Sequence, residues 1–286
     1  MTTRLLNIII KRLLPLWIPV FSPVVGAADI ITEIRSGDMH AGVTDGGYLD
    51  LGLGLSYTNG YVYGYPDNNL DSQSGGNLYS YVNVNGSYNY RGLFVEVYSE
   101  SINGLTLGYN FHNGKKWTFD LIGTQAYGYL GKQDSEAWQD LNERNGSLDL
   151  GLRASYYHSA YIIQFHVLAD VSNNYNSQTA SAYIGKNWQR RNWNFHALFG
   201  LNYHSSKAAN YYLGVEENEA SLRFPAYQGK GGIETTAEVG LAYPVSEQWV
   251  FRAGYRYRLL PAGITDSPLV TNKGMHLLSS SLSYVF

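Results

Sequence analysis

Apolar and polar residues alternate one by one along this chain, in segment after segment. In GYLDLGLGLSYT, Leu49, Leu51, Leu53, Leu55 and Tyr57 share one face of an extended strand, and Asp50, Gly52, Gly54 and Ser56 share the other. SLDLGLRASYY repeats the device, with Asp149, Gly151, Arg153 and Ser155 opposite the leucines. AYIIQFHVLADV sets Gln164, His166 and Asp170 against Ile163, Phe165 and Val167. NWNFHALFGLNY, GIETTAEVGLAY and WVFRAGYRYRLL follow, the last two opposing Glu234 and Glu238, then Arg252, Arg256 and Arg258, to apolar faces. A period of two over about ten residues is the signature of a strand with one apolar face, and of transmembrane strands in particular.

Alternation also describes soluble sandwiches, so the surroundings of the strands decide. The apolar faces begin or end in Trp or Tyr at Tyr57, Tyr156, Trp193, Tyr203, Tyr243 and Trp249, as in the aromatic girdles at membrane interfaces. Charged residues make up only 15% of the chain, against roughly 25% in soluble domains. The first 27 residues read as a cleaved signal peptide: Arg4, Lys11 and Arg12, an apolar run from Leu13 to Val25, then small residues up to Ala28. No later stretch is long and apolar enough for a spanning helix. For an exported chain of this composition that leaves the closed barrel, the other structure that satisfies its backbone in lipid. There is no cysteine and the net charge is -3, so neither disulfides nor a nucleic-acid partner is expected.

Turn chemistry orders the strands. Short links at Arg91-Gly92, His112-Asn113-Gly114, His158-Ser159, Gln189–Arg191 and Pro244–Glu247 alternate with long polar stretches, as periplasmic turns alternate with outer loops. A tight hairpin at Ser101–Gly104 brings the count to about twelve strands, an even number that returns both ends to the periplasm. The expected fold is an all-β, antiparallel, up-and-down transmembrane barrel over residues 47–286, preceded by a periplasmic segment at 28–46. Asp149, Arg153, Asp170, Glu234, Glu238, Arg252, Arg256 and Arg258 are expected to point into its lumen. The three arginines of the eleventh strand are expected to pair with Glu234 and Glu238, because an unpaired buried charge is expensive. The chain ends on LSSSLSYVF, a strand that must pair with the first to leave no edge.

The ending Leu282-x-Tyr284-x-Phe286 resembles the C-terminal signal that the barrel assembly machinery reads in outer-membrane proteins. A narrower resemblance lies in the last two long loops. NYYLGVEENEA, with Tyr211, Tyr212, Gly214, Val215 and Glu219, and GITDSPLV, with Asp266, Ser267 and Pro268, resemble segments of the MipA/OmpV family, as does LTLGYNFHNGKKW. The resemblance implies a barrel in the outer membrane of a Gram-negative bacterium, surrounded by lipid and lipopolysaccharide. It implies no activity on a substrate and no cofactor. The family's named member is a scaffold that holds a murein-cleaving lytic transglycosylase near a murein synthase. Other members are antigens, adhesins acting through outer loops, or stress-responsive proteins. The first outer loop, TNGYVYGYPDNNLDSQSGG, departs from the family's usual loop.

Catalysis and conduction are the other functions open to such a chain. His204, Ser205, Asp266 and Ser267 are the residue types of a nucleophile and its base, but such residues are common in polar loops, and no enzyme is expected. The seven histidines show no metal-ligand spacing. A barrel of about twelve strands lies between those that side chains fill and open porins, so a narrow channel for small solutes, or an adhesin acting through its outer loops, is the alternative to a scaffold.

Overall fold

The computed structural model describes residues 29–36, 45–62, 76–99, 104–127 and 138–286. The expected signal peptide, most of the first outer loop and the tip of the tight hairpin lie outside these residues. Twelve strands form one closed antiparallel barrel in which each pairs with its sequence neighbours. They are β1 (Gly46–Thr58), β2 (Asn77–Tyr90), β3 (Leu93–Tyr98), β4 (Leu105–Asn113), β5 (Trp117–Tyr127) and β6 (Ser147–His158). There follow β7 (Tyr161–Asp170), β8 (Gln178–Arg190), β9 (Trp193–His204), β10 (Gly232–Pro244), β11 (Trp249–Leu259) and β12 (Gly274–Val285). Among the described residues three short helices accompany them: α1 (Ile30–Ser36), α2 (Ser206–Leu213) and α3 (Ala262–Thr265). β12 closes on β1 with Leu53 opposite Leu282 and Leu51 opposite Tyr284, and the Phe286 N–H donates to the Leu49 carbonyl at 2.8 Å.

The barrel is built inside out relative to a soluble domain. Leu53 is 72% exposed and Leu78 69%, within a continuous outward band of Leu, Val and Phe, while Asp50, Asn83, Asp120, Asp149, Ser155 and Gln164 are buried. In water such a band would be a large aggregation surface; in lipid it is the solvated face. Trp117 packs on Tyr156, Trp193 on Tyr243 and Trp249 on Tyr284, with ring centroids 4.6–5.5 Å apart. These pairs sit at the end of the short turns and form the inner girdle. The β2–β3 turn has both central residues at positive φ, Arg91 at 51° and Gly92 at 86°. That is a type I′ hairpin turn, whose twist matches the strands it joins.

An arginine on the lipid face tests this assignment. Leu152 lies outward between Leu121 and Val167. Leu152→Arg is expected to cost roughly 2–4 kcal/mol if it lies near the bilayer midplane. Asp149→Asn on the lumen face keeps a hydrogen-bond acceptor and is expected to cost much less. Urea titration in lipid vesicles measures both, and equal penalties would reverse the facing.

The segment 28–46, expected on the periplasmic side, is placed differently where it is described. Residues 29–36 lie inside the barrel as α1, against β7, β8, β9 and β10. Ile30, Ile31 and Ile34 are buried among Tyr157, Ile162, Tyr183 and Leu198. Burying each isoleucine contributes about 1.5–3 kcal/mol, which offsets the entropy of ordering a seven-residue helix that would be unstable alone.

Candidate functional site

Strand alternation delivers a set of ionisable side chains into the lumen, and the barrel register decides how they meet. Arg153 of β6 reaches across to β3 and β5. Its Nη1 and Nη2 donate to the two carboxylate oxygens of Glu96 at 2.9 and 3.0 Å, and its Nε donates to Asp120 at 2.8 Å. Asn110 donates to the other Asp120 oxygen at 2.6 Å, and the guanidinium stacks 5.0 Å from the Phe94 ring centre. Bidentate pairing and a full set of donors make so buried a charge tolerable.

A second cluster lies around β10. Glu238 accepts from Arg256 Nε at 2.6 Å and from Arg35 Nη2 of α1 at 2.9 Å, with His196 Nε2 at 3.1 Å. Glu234 accepts two bonds from Arg258 at 2.7 Å each, with His204 Nε2 at 3.3 Å. Arg252 departs from the expected pairing. It forms an ion pair with Asp50 of β1 at 2.5 Å instead of with either glutamate. Residues opposite it on β10 and β12 are Ala242 and Ser281, too short to block the guanidinium on its way to β1.

Two other expected lumen charges have partners nearer the outer rim. Asp149 accepts from the Tyr175 hydroxyl. Asp170, the last residue of β7, turns to the loop and accepts from the backbone N–H groups of Ser172, Tyr175 and Asn176 at 2.7–2.9 Å. An aspartate at a strand end gathers turn N–H groups more readily than it crosses a lumen.

The helix α1 completes the filling. The Tyr157 hydroxyl donates to Glu33 at 2.7 Å, and the Ile30 N–H donates to Gln164 at 3.2 Å. Asn194 donates to the carbonyls of Ile34 and Arg35 at 3.2 and 2.7 Å, satisfying acceptors that a helix C-terminus leaves open. On the other side of Arg35 a cavity of about 260 Å³ remains, bordered by Glu238, Arg256, Ser56, Ser279 and Tyr81.

At the long-loop end, the links between strands pack into an outer cap with a core of its own. Trp138, Leu141, Tyr175, Tyr212, Leu213, Phe224, Ile264 and Leu269 are all buried there. Ser205 caps α2, accepting from the Ala208 N–H at 3.2 Å. Arg144 donates to Glu219 at 2.7 Å and to the Gly214 carbonyl at 3.0 Å. Burial alone would raise the Glu219 carboxyl, but hydrogen bonds from Arg144 and from the N–H groups of Asn142 and Glu216 hold it below its ordinary range. Ser267 donates to the Leu213 carbonyl at 2.5 Å, tying α3 to α2. A Cβ at Gly214 would sit 2.4 Å from the Asn210 carbonyl oxygen, so the close approach there requires glycine. Tyr211 accepts from the Asn145 N–H and Tyr212 donates to the Asn145 carbonyl, both at 2.9 Å. Pro268 lies in the turn leading to a bridge between Val270 and Val62. Of the four catalytic candidates, Ser205 and Ser267 use their hydroxyls in these structural bonds, and His204, the last residue of β9, faces Glu234.

Most residues of the two loop segments that resemble the family therefore help hold the cap together, and the likeness extends through the barrel. The family model for MltA-interacting protein MipA matches residues 51–286. The chain belongs to the MipA family. Among curated relatives, outer membrane protein OmpV of Vibrio cholerae is 25% identical over 210 residues, covering 68% of this chain and 76% of that one. Outer membrane protein Omp26La of Vibrio anguillarum is 26% identical over 184 residues, 59% of this chain and 68% of the relative. Among solved barrels, the outer membrane channel DcaP of Acinetobacter baumannii covers 86% of this chain and aligns over its whole length, with a TM-score of 0.38 at 7% identity. This member of the family is a twelve-stranded barrel of the Gram-negative outer membrane.

Sequence reasoning missed Glu96 and Asp120, whose strands LFVEVY and WTFDLIGT carry one acid each among apolar neighbours. That isolated acid was the available signal. It also missed Arg144, which lies in a polar loop with no pattern to mark it.

Proposed function

We propose that this protein works by binding, as a non-conducting scaffold that holds a periplasmic lytic transglycosylase, and with it a murein synthase, at the inner face of the outer membrane. The observation that carries the reading is the doubly occupied barrel: α1 and the ion-pair clusters fill the lumen, and the outer cap packs over its mouth. A barrel filled in this way offers its rims rather than its interior. The periplasmic rim presents exposed Arg91, Lys115, Lys116, Arg190 and Arg191 against Asp45 and Glu247. Such a rim steers a partner with an acidic face toward the membrane. The family's description, which names an MltA-interacting protein, supports the same partner class.

A narrow channel is the second reading, favoured by the 260 Å³ cavity beside Arg35, Glu238 and Arg256. Crosslinking and pulldown from intact envelopes, paired with planar-bilayer recording, separates the two. The scaffold predicts capture of a murein enzyme, loss of capture when the rim arginines and lysines become glutamates, and silent bilayers. Steady anion-selective current that reverses its preference in Arg256→Glu, with no murein enzyme captured, would establish the channel instead.

A further inference from the structure

The outward face of the cap holds a cleft that a periplasmic scaffold leaves unused. It measures about 670 Å³ and lies between the β5–β6 and β7–β8 links, α2 and the segment after it. That is within the range of small-molecule sites, roughly 300–1,000 Å³. Its bed is stiff. Val215 and Tyr227 exchange backbone hydrogen bonds of 2.9 Å in both directions, and Arg144 bonded to Glu219 underlies the same turn. Two half-buried tyrosines border the cleft with their hydroxyls already engaged, Tyr211 with the Asn145 N–H and Tyr227 with the Gly263 carbonyl at 3.0 Å. Rings fixed in this way lose little conformational freedom when something stacks on them.

The exposed rim supplies the complementary polar groups: the amides of Asn142 and Gln228 and the carboxylates of Glu216 and Glu217. Aromatic faces suit the C–H surface of a pyranose, and amides and carboxylates suit its hydroxyl groups. Among the described residues that border the cleft, carboxylates outnumber cations not paired with an acid. Glu143, Glu216 and Glu217 stand against Lys207, because Arg144 is committed to Glu219. An anionic glycan is therefore repelled. We propose that this cleft binds a neutral oligosaccharide on the outer surface of the cell.

The test is an array of neutral and sialylated oligosaccharides probed with the full barrel in lipid vesicles free of glycolipid and glycosidic detergent, with polyamines as soluble competitors. Retention on neutral glycans is expected. Tyr211→Ala and the rim variant Asn142→Ala are each expected to weaken it at least about tenfold, roughly 1.4 kcal/mol. Tyr211→Phe, which keeps the ring, is expected to restore most of the binding. Heat-modifiable gel migration confirms that each variant remains a folded barrel, and Asn142→Ala alters an exposed side chain in case Tyr211→Ala loosens the cap. Retention of no neutral glycan, equal retention by Asn142→Ala, preference for sialylated glycans, or displacement by polyamine would each overturn the proposal.

Discussion

Replacing residues 29–36 with a glycine-serine segment is expected, on the scaffold reading, to turn a silent barrel into one that passes current in discrete steps. The substitution removes three buried isoleucines and the Arg35 guanidinium from the lumen. Tyr157, Ile162, Tyr183 and Leu198 then face water, and Gln164, Asn194 and Glu238 each lose a partner. Glu238 keeps Arg256 and His196, so the wall itself holds together. The water that replaces α1 is a path for ions, bordered by Arg256 and Glu238. Planar-bilayer recording of both proteins, with folding checked by heat-modifiable migration, measures the effect. A variant as silent as the parent would move the seal from α1 to the outer cap.

The second large effect is on stability. Arg153→Met leaves the Glu96 and Asp120 carboxylates buried side by side with no counter-charge, apart from one hydrogen bond from Asn110. Breaking a buried pair on one side costs about 3–5 kcal/mol, and urea titration of the refolded barrel is expected to read a loss of that size. Adding Glu96→Gln and Asp120→Asn to the same protein is expected to recover most of it, because neutral amides need no counter-ion. If the triple variant is as unstable as Arg153→Met alone, packing around Phe94 rather than charge is what Arg153 supplies.

The strands were legible because lipid on one side and a polar lumen on the other impose a period of two on every spanning segment. Their pairing was legible because a closed up-and-down barrel allows one order. The ion pairs were only half legible, because pairing across a barrel depends on register. Glu238 and Arg256 lie directly opposite each other, and Glu234 and Arg258 lie two residues apart on neighbouring strands, so both could be read from adjacent segments. Arg252 and Asp50 sit at opposite ends of the chain on β11 and β1, with β12 between them. The helix α1 escaped notice for a different reason. Seven residues after an apolar run carry too few turns to show a helical period, and the three isoleucines make sense only once a wall faces them. In the cap, residues such as Glu219 and Ser267 were marked by resemblance, but their work is to tie one loop to another, which a linear pattern does not encode.

The chain's own N-terminal segment, residues 29–36, sits in its lumen, and a crosslink tests that placement most directly. A Cβ built at Gly185 of β8 lies 3.0 Å from Ile34 Cγ2 of α1, a separation compatible with a disulfide between the two positions. The chain has no cysteine of its own, so an Ile34→Cys, Gly185→Cys double variant carries a single possible bridge. Oxidised in intact envelopes and digested, it is predicted to yield one crosslinked peptide pair joining residues 34 and 185, with neither thiol open to maleimide. Two free thiols that both react with maleimide, in a barrel shown to be folded, would contradict the account.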